Sequence, residues 1–294
     1  MRAVWSCWSL PYRTQSGFSW AGERTHMLSW ILSVELARPH FDCTVLHTDD
    51  AGVRLLIDDL GLSFDHVSTS LNQLDGEDPD WWMLGKIQTY SEQQEPFVHL
   101  DSDVYLFKPL PERLTSAPLF AQNPEAVTVS FFWYDVEGCE MAIRSHGDGF
   151  IPPEWTWYST FVPVNRQEAA CCGILGGHNL DVIHAYARTV LSLLRNPANR
   201  HAFDRMSHKR KFNPFFEQYL LAACAHYHKV DIAYLFPTFD DAFQSAARLG
   251  FTHLMASSKR DAVVAGRIEE RVARDYPAAY ERVCALFQAQ REIA

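Results

Sequence analysis

The stretch PFVHLDSDVYLFKPLP, residues 96–111, carries an apolar run straight into two aspartates one residue apart, with proline at either end. An isolated Asp-x-Asp is ordinarily a solvated turn, because short acidic side chains hydrogen-bond their own backbone. At the carboxyl end of a buried strand the same pair faces the crevice in which α/β sheets bind ligands. The surroundings decide between these readings.

Upstream, AVWSCW (3–8) reads as a first strand, short and apolar and followed by Pro11 and Gly17. THMLSWILSVELARP (25–39) has helical periodicity and stops before Pro39. DCTVLHTDD (42–50) is a second strand ending in a polar turn, and GVRLLIDDLG (52–61) a short helix closed by Gly61. FDHVST (64–69) is a third strand. A polar loop (71–80) and the helix WWMLGKIQTYSEQ (81–93) lead to FVHL and the aspartates. Strands alternating with helices at this spacing predict βαβ units and an α/β fold with a mainly parallel sheet flanked by helices. Asp101 and Asp103 then stand at a strand's carboxyl end, and the turn reading loses ground.

Downstream, residues 131–163 read as an aromatic-rich irregular loop, the kind of segment on which binding surfaces lie. CCGILGGHNLDVIHAYARTVLSLLR (171–195) reads as a short strand, a Gly-Gly turn and a long helix. NPFFEQYLLAACAHYH (213–228) is another helix with Pro214 in its first turn, DIAYLFP (231–237) a late strand, and 261–290 a helical tail broken near Pro277. Without a linker or repeat, the expectation is one domain over 1–260 with a C-terminal helical extension over 261–294.

Composition excludes several classes. With 47% hydrophobic and 21% charged residues the chain is globular. A net charge of −10, with HKRK (208–211) as the longest basic run, argues against nucleic-acid binding. No apolar run reaches the roughly 18 residues of a membrane span, and MRAVWSCWSLPYR is too polar for a signal-peptide core. Seven cysteines without C-x-x-C spacing indicate buried thiols in a reducing cytoplasm. Nine tryptophans serve either the core or a sugar or nucleobase site.

Two carboxylates one residue apart can hold one hard divalent cation that keeps positions open for substrate phosphates. Here the chain resembles the nucleotide-sugar glycosyltransferases of the GT-A type, in which an Asp-x-Asp follows an apolar strand. GILGGHN (173–179) looks like the glycine turn before their acceptor-side helix, and FFEQYLL (215–221) like the segment beneath the reacting sugar. FTHLMASSKR (251–260) resembles the late H-x-x-G-x-x-K motif of the family-8-like members, with Ala256 in place of glycine. The usual Asn-Ala-Gly before the acceptor-side turn is replaced by residues around Cys171 and Cys172.

The resemblance implies a GT-A (Rossmann-like) fold and metal-dependent transfer of a sugar from a nucleoside-diphosphate donor, a UDP-sugar, to an unidentified acceptor. It implies Mn²⁺ (or Mg²⁺) held by Asp101, Asp103 and His253, with Asp101 shared between metal and donor ribose. Lys259 would contact the diphosphate and Lys86 the phosphates or nucleotide. Trp5, Ser6, Ser9, Thr48 and Asp49 would frame the nucleotide from the first two strand ends. Trp155 and Trp157 stack on the acceptor or pack in the core. Glu217 either complements a helix dipole or serves chemistry, as acceptor base or oxocarbenium stabiliser. Two alternatives stand beside this reading. One is a catalytically silent GT-A module binding sugar or protein. The other is a sugar-nucleotide nucleotidyltransferase, which wants a Gly-rich basic loop where SLPYRTQSGFSW (9–20) offers only Arg13.

Overall fold

The computed structural model describes residues 1–14, 20–127, 134–145, 149–206 and 208–293, with side chains through 288. Its strands are β1 (Arg2–Cys7), β2 (Thr44–Thr48), β3 (His66–Ser68), β4 (Phe97–Leu100), β5 (Val104–Leu106) and β6 (Phe120–Ala121). β7 (Pro124–Ala126), β8 (Glu168–Ala170), β9 (Ile174–Gly177), β10 (Ala233–Tyr234) and β11 (Phe251–His253) follow. Seven of them form a mixed, mainly parallel sheet in the order β10-β6-β9-β4-β1-β2-β3, and β5/β11 and β7/β8 form two-stranded ribbons. The α/β architecture with helices flanking the sheet is therefore as the alternating pattern predicts.

The chain forms two compact units: residues 1–75, 99–110 and 246–294, and residues 76–98 and 111–245. In the first, β1, β2 and β3 run parallel, with Trp5 opposite Leu46 and Val45 opposite His66. β2 is buried along its whole length, including the polar Thr44, His47 and Thr48. The helix Glu23–Ala37 buries Met27 through Val34 and packs on β5 and on the C-terminal helices Ala262–Asp275 and Pro277–Ile293. Arg24 ties these together, donating to Glu269 at 2.6 Å and to the Tyr280 hydroxyl at 2.7 Å. Pro277 breaks the two final helices, as proline without an N–H must.

The second unit has an aromatic core. Trp81 meets Phe203 and Phe216 edge-on, and Trp155 meets Phe215 at 4.7 Å between ring centres. Three sequence expectations change here. The stretch read as irregular loop contains the helices Val136–Arg144 and Pro153–Phe161; residues 131–133 and 146–148 of it lie outside the described residues. In Pro153–Phe161 aromatics on both the buried and the exposed side, Trp155 and Phe161, obscured the 3.6-residue period. The Gly-Gly pair is no turn but the end of β9, with Gly176 opposite Phe120. A Cβ at Gly176 would collide with the Phe97 carbonyl, and Gly177 has φ +152°, so both serve close backbone approach. The late strand shrinks to Ala233–Tyr234.

Candidate functional site

β4 delivers Asp101 at its carboxyl end, and the chain turns through Ser102 and Asp103 directly into β5, with Val104 N–H donating to the Asp101 carbonyl at 3.0 Å. β11 pairs antiparallel with β5, placing His253 opposite Val104. Leu254 N–H donates to the Asp103 carbonyl at 3.0 Å. Residues some 150 positions apart in sequence are thereby fixed by main-chain bonds. One ligand atom from each of Asp101, Asp103 and His253 lies within 4.8 Å of the others. This set of two carboxylates and one imidazole fits Mn²⁺ or Mg²⁺ by donor chemistry, and three ligands leave positions for a substrate.

Asp103 is buried, its side chain 4% exposed; Oδ2 meets the Lys259 ammonium and Oδ1 lies 3.6 Å from His253 Nε2. Lys259 also stands over the Trp20 ring at 5.6 Å. It rides on the 3₁₀ turn Ala256–Arg260, whose first residue, Ala256, has φ +47°. The left-handed backbone that glycine supplies without strain is thus adopted here by alanine.

Two supporting serines were not anticipated. Ser29 donates to the Ser102 carbonyl at 2.7 Å and Ser33 to the Asp101 carbonyl at 3.1 Å. Both are fully buried, one helical turn apart on the face of Glu23–Ala37 that meets the aspartate turn. Two serines four apart on an otherwise apolar helix face were the available signal, since buried hydroxyls require partners. His99 was also missed. It is buried two residues before Asp101, with Nε2 2.9 Å from the Ser6 hydroxyl and Nδ1 3.8 Å from Asp101 Oδ1.

The remaining expected donor residues divide. Ser6 makes that contact with His99. Thr48 donates to the Cys7 carbonyl at 2.7 Å, and Asp49 accepts from Ser9 N–H at 2.7 Å and from Gly52 N–H at 2.7 Å. Ser9, Thr48 and Asp49 thus hold the ends of β1 and β2 together and cap the short helix that follows. Trp5 is a correction: its indole is fully buried, edge-on to Phe64, and donates to Ser33 at 3.1 Å, so it packs in the core instead of framing a base.

The second unit holds the others. Lys86 donates to Glu217 at 2.5 Å, with side-chain exposures of 14% and 1%. Glu217 sits in the π-helical turn Phe215–Tyr219, a wide turn frequently found at functional positions. Its buried carboxylate needs a cation more than a helix dipole. Trp155 is fully buried against Phe215 and takes the core-packing reading. Trp157 is half-buried between Phe161 and Tyr227, both partly exposed.

A family model matches residues 1–286. The chain belongs to DUF6734, a family of unknown function. The matched span of DUF6734 includes Asp101, Asp103, His253 and Lys259. No curated protein matches the chain.

Proposed function

We propose that this DUF6734 chain is a metal-dependent transferase that moves a sugar from a nucleoside-diphosphate donor, a UDP-sugar, to a hydroxyl-bearing acceptor. The observation that carries the reading is the convergence of Asp101, Asp103 and His253 on one point, with Lys259 against Asp103. A divalent cation bound there supplies Lewis-acid stabilisation to the departing diphosphate. Lys259 neutralises Asp103 in the absence of substrate and is long enough to turn its ammonium to a diphosphate oxygen instead. Ser29 and Ser33 hold the aspartate turn by its main-chain carbonyls and not by its carboxylates. Glu217, in the second unit, is the carboxylate this reading proposes as a base, which requires Lys86 to release it. None of the seven cysteines forms a disulfide, which fits a reducing compartment such as the cytoplasm.

The test is thermal stability with Mn²⁺, with nucleoside diphosphates, and with both. Ligands that complete each other's site stabilise together more than the sum of their separate shifts. Additive shifts with every base count against the donor site. Synergy without turnover of any nucleotide sugar identifies the silent binding module.

A further inference from the structure

The π turn that presents Glu217 to Lys86 presents its neighbour, Gln218, to a different partner. The Tyr134 hydroxyl lies 2.6 Å from Glu125 Oε2 and against Gln218 Oε1. Tyr134 is 4% exposed, so water does not readily fill in for a missing partner. A phenol carries one proton. Placed between a carboxylate oxygen and an amide oxygen, it can donate to only one of them, and the other contact then sets two lone pairs against each other. A second proton on Glu125 removes the conflict. Glu125 then donates to Tyr134, Tyr134 donates to Gln218, and the Cys171 thiol donates to the Glu125 carboxyl.

Charge counting leads the same way. The chain Lys86–Glu217, Gln218–Tyr134–Glu125 holds two carboxylates and one ammonium, and the ammonium is on Glu217. Among the described residues Glu125 has no cationic partner; Tyr134, Cys171 and the carboxylate of Glu217 face it, and Glu168 flanks it on β8. Burial pushes its carboxyl up, with Glu217 acting in the same direction and the hydrogen bonds from Tyr134 and Cys171 opposing. Burial likewise pushes the Tyr134 phenol well up, so it stays neutral.

We propose that Glu125 is held as a neutral carboxylic acid at pH 7, and that this stored proton orients Gln218, and through the shared turn Glu217, as a positioning residue for the chemistry of the second unit. Two carboxylates in one network with opposite protonation states are the arrangement from which acid and base roles are drawn. The protonation state stands on its own geometry; its use in sugar transfer rests on the reading above.

Infrared difference spectroscopy of the full chain tests this without nucleotide or metal, so its outcome is separate from that of the donor site. The carbonyl-stretch band of a protonated carboxylic acid is expected at pH 7 in the wild type, absent from Glu125→Gln and retained in Glu217→Gln. Glu125→Gln, a neutral isostere, should also gain thermal stability relative to wild type as pH rises, because only the wild type must ionise a partly buried group. Should Glu125→Gln not fold, Tyr134→Phe serves: losing its hydrogen bond should move the pH at which the band disappears. A wild type without the band at pH 7 overturns the proposal, since Gln218 then donates its amide to Tyr134 and Glu125 is ionised. A band that survives Glu125→Gln and vanishes in Glu217→Gln overturns it equally. If sugar transfer is measured, Glu125→Gln should shift the alkaline limb of its pH profile, which a purely structural role leaves in place.

Discussion

The ammonium of Lys259 rests on Oδ2 of Asp103, a carboxylate shut away from water. One positive charge of the chain's own therefore occupies the neighbourhood where a metal cation would neutralise the same oxygen. On the proposed reading, protein cation and metal would compete for Asp103, and the competition has measurable signs.

Lys259→Met removes the competitor. Mn²⁺ should bind the variant several-fold to about tenfold more tightly, or roughly 1.4 kcal/mol, while Mn²⁺-dependent nucleoside diphosphate binding weakens. Calorimetric titration of each ligand checks both signs. Equal losses for metal and nucleotide would mean that Lys259 acts only by packing on Trp20.

Asp103→Asn keeps volume but removes the charge. Mn²⁺ affinity should fall by one to two orders of magnitude, about 1.4–2.8 kcal/mol, in a protein that retains its far-ultraviolet dichroism. Unchanged affinity in the folded variant would reduce Asp-Ser-Asp to a turn.

Ala256→Gly relieves a left-handed alanine. The strain costs about 1–2 kcal/mol and the added chain entropy of glycine offsets roughly 0.4–1 kcal/mol. The variant should be more stable by about half to one kcal/mol in urea unfolding. A loss of stability would place other interactions of the Ala256 methyl above the strain.

His26 lies against the rings of Tyr12 and Trp20 at 5.1 and 5.6 Å. Burial pushes its imidazole down to about 3, helped by the charge of Lys259 and opposed by Asp103. The folded value lies below the unfolded one of about 6.5, so neutral His26 contributes stability present above that pH and lost progressively as pH falls toward 3. The melting temperature should fall on acidification from pH 7 to pH 4, and less steeply in His26→Gln. Parallel pH curves would show that His26 remains accessible to protons in the folded state.

Lys86→Met leaves Glu217 buried without its cation, at a cost of about 3–5 kcal/mol. Lys86→Met/Glu217→Gln should recover most of it, as denaturant unfolding of the pair of variants would show. A double variant no better than Lys86→Met would mean that the charge pairing is not what the contact supplies.

Much of the fold was legible because the strand–helix alternation is strong and the first strand is a short apolar run closed by turn residues. Asp101, Asp103 and His253 were legible as a set only through the order of two short motifs; nothing local in FTHLMASSKR announces a strand that returns to pair with VYL. Ser29 and Ser33 were hidden because a helix periodicity weighs apolar residues and passes over buried hydroxyls. Trp5 misled in the other direction and Trp155 was open between acceptor and core, since a tryptophan in the sequence does not tell which side of its ring faces water. The Lys86–Glu217 pair joins residues 131 positions apart, a distance at which sequence spacing says nothing about partners.

The unit that carries the aspartate turn is written in three pieces, 1–75, 99–110 and 246–294, with most of the other unit's chain between the second and the third. During synthesis, β5 emerges well before its ribbon partner β11, and the Asp-Ser-Asp turn waits for some 150 further residues before His253 and Lys259 can reach it. The intervening segment 111–245 has its own buried aromatic core and can begin to collapse in that interval. The nascent chain therefore passes through a stage in which Asp101 and Asp103 are present without imidazole or ammonium, and a truncation before residue 251 would leave the turn in that state permanently. For this protein the candidate site is completed in translation only after β11 and the turn Ala256–Arg260 have been made.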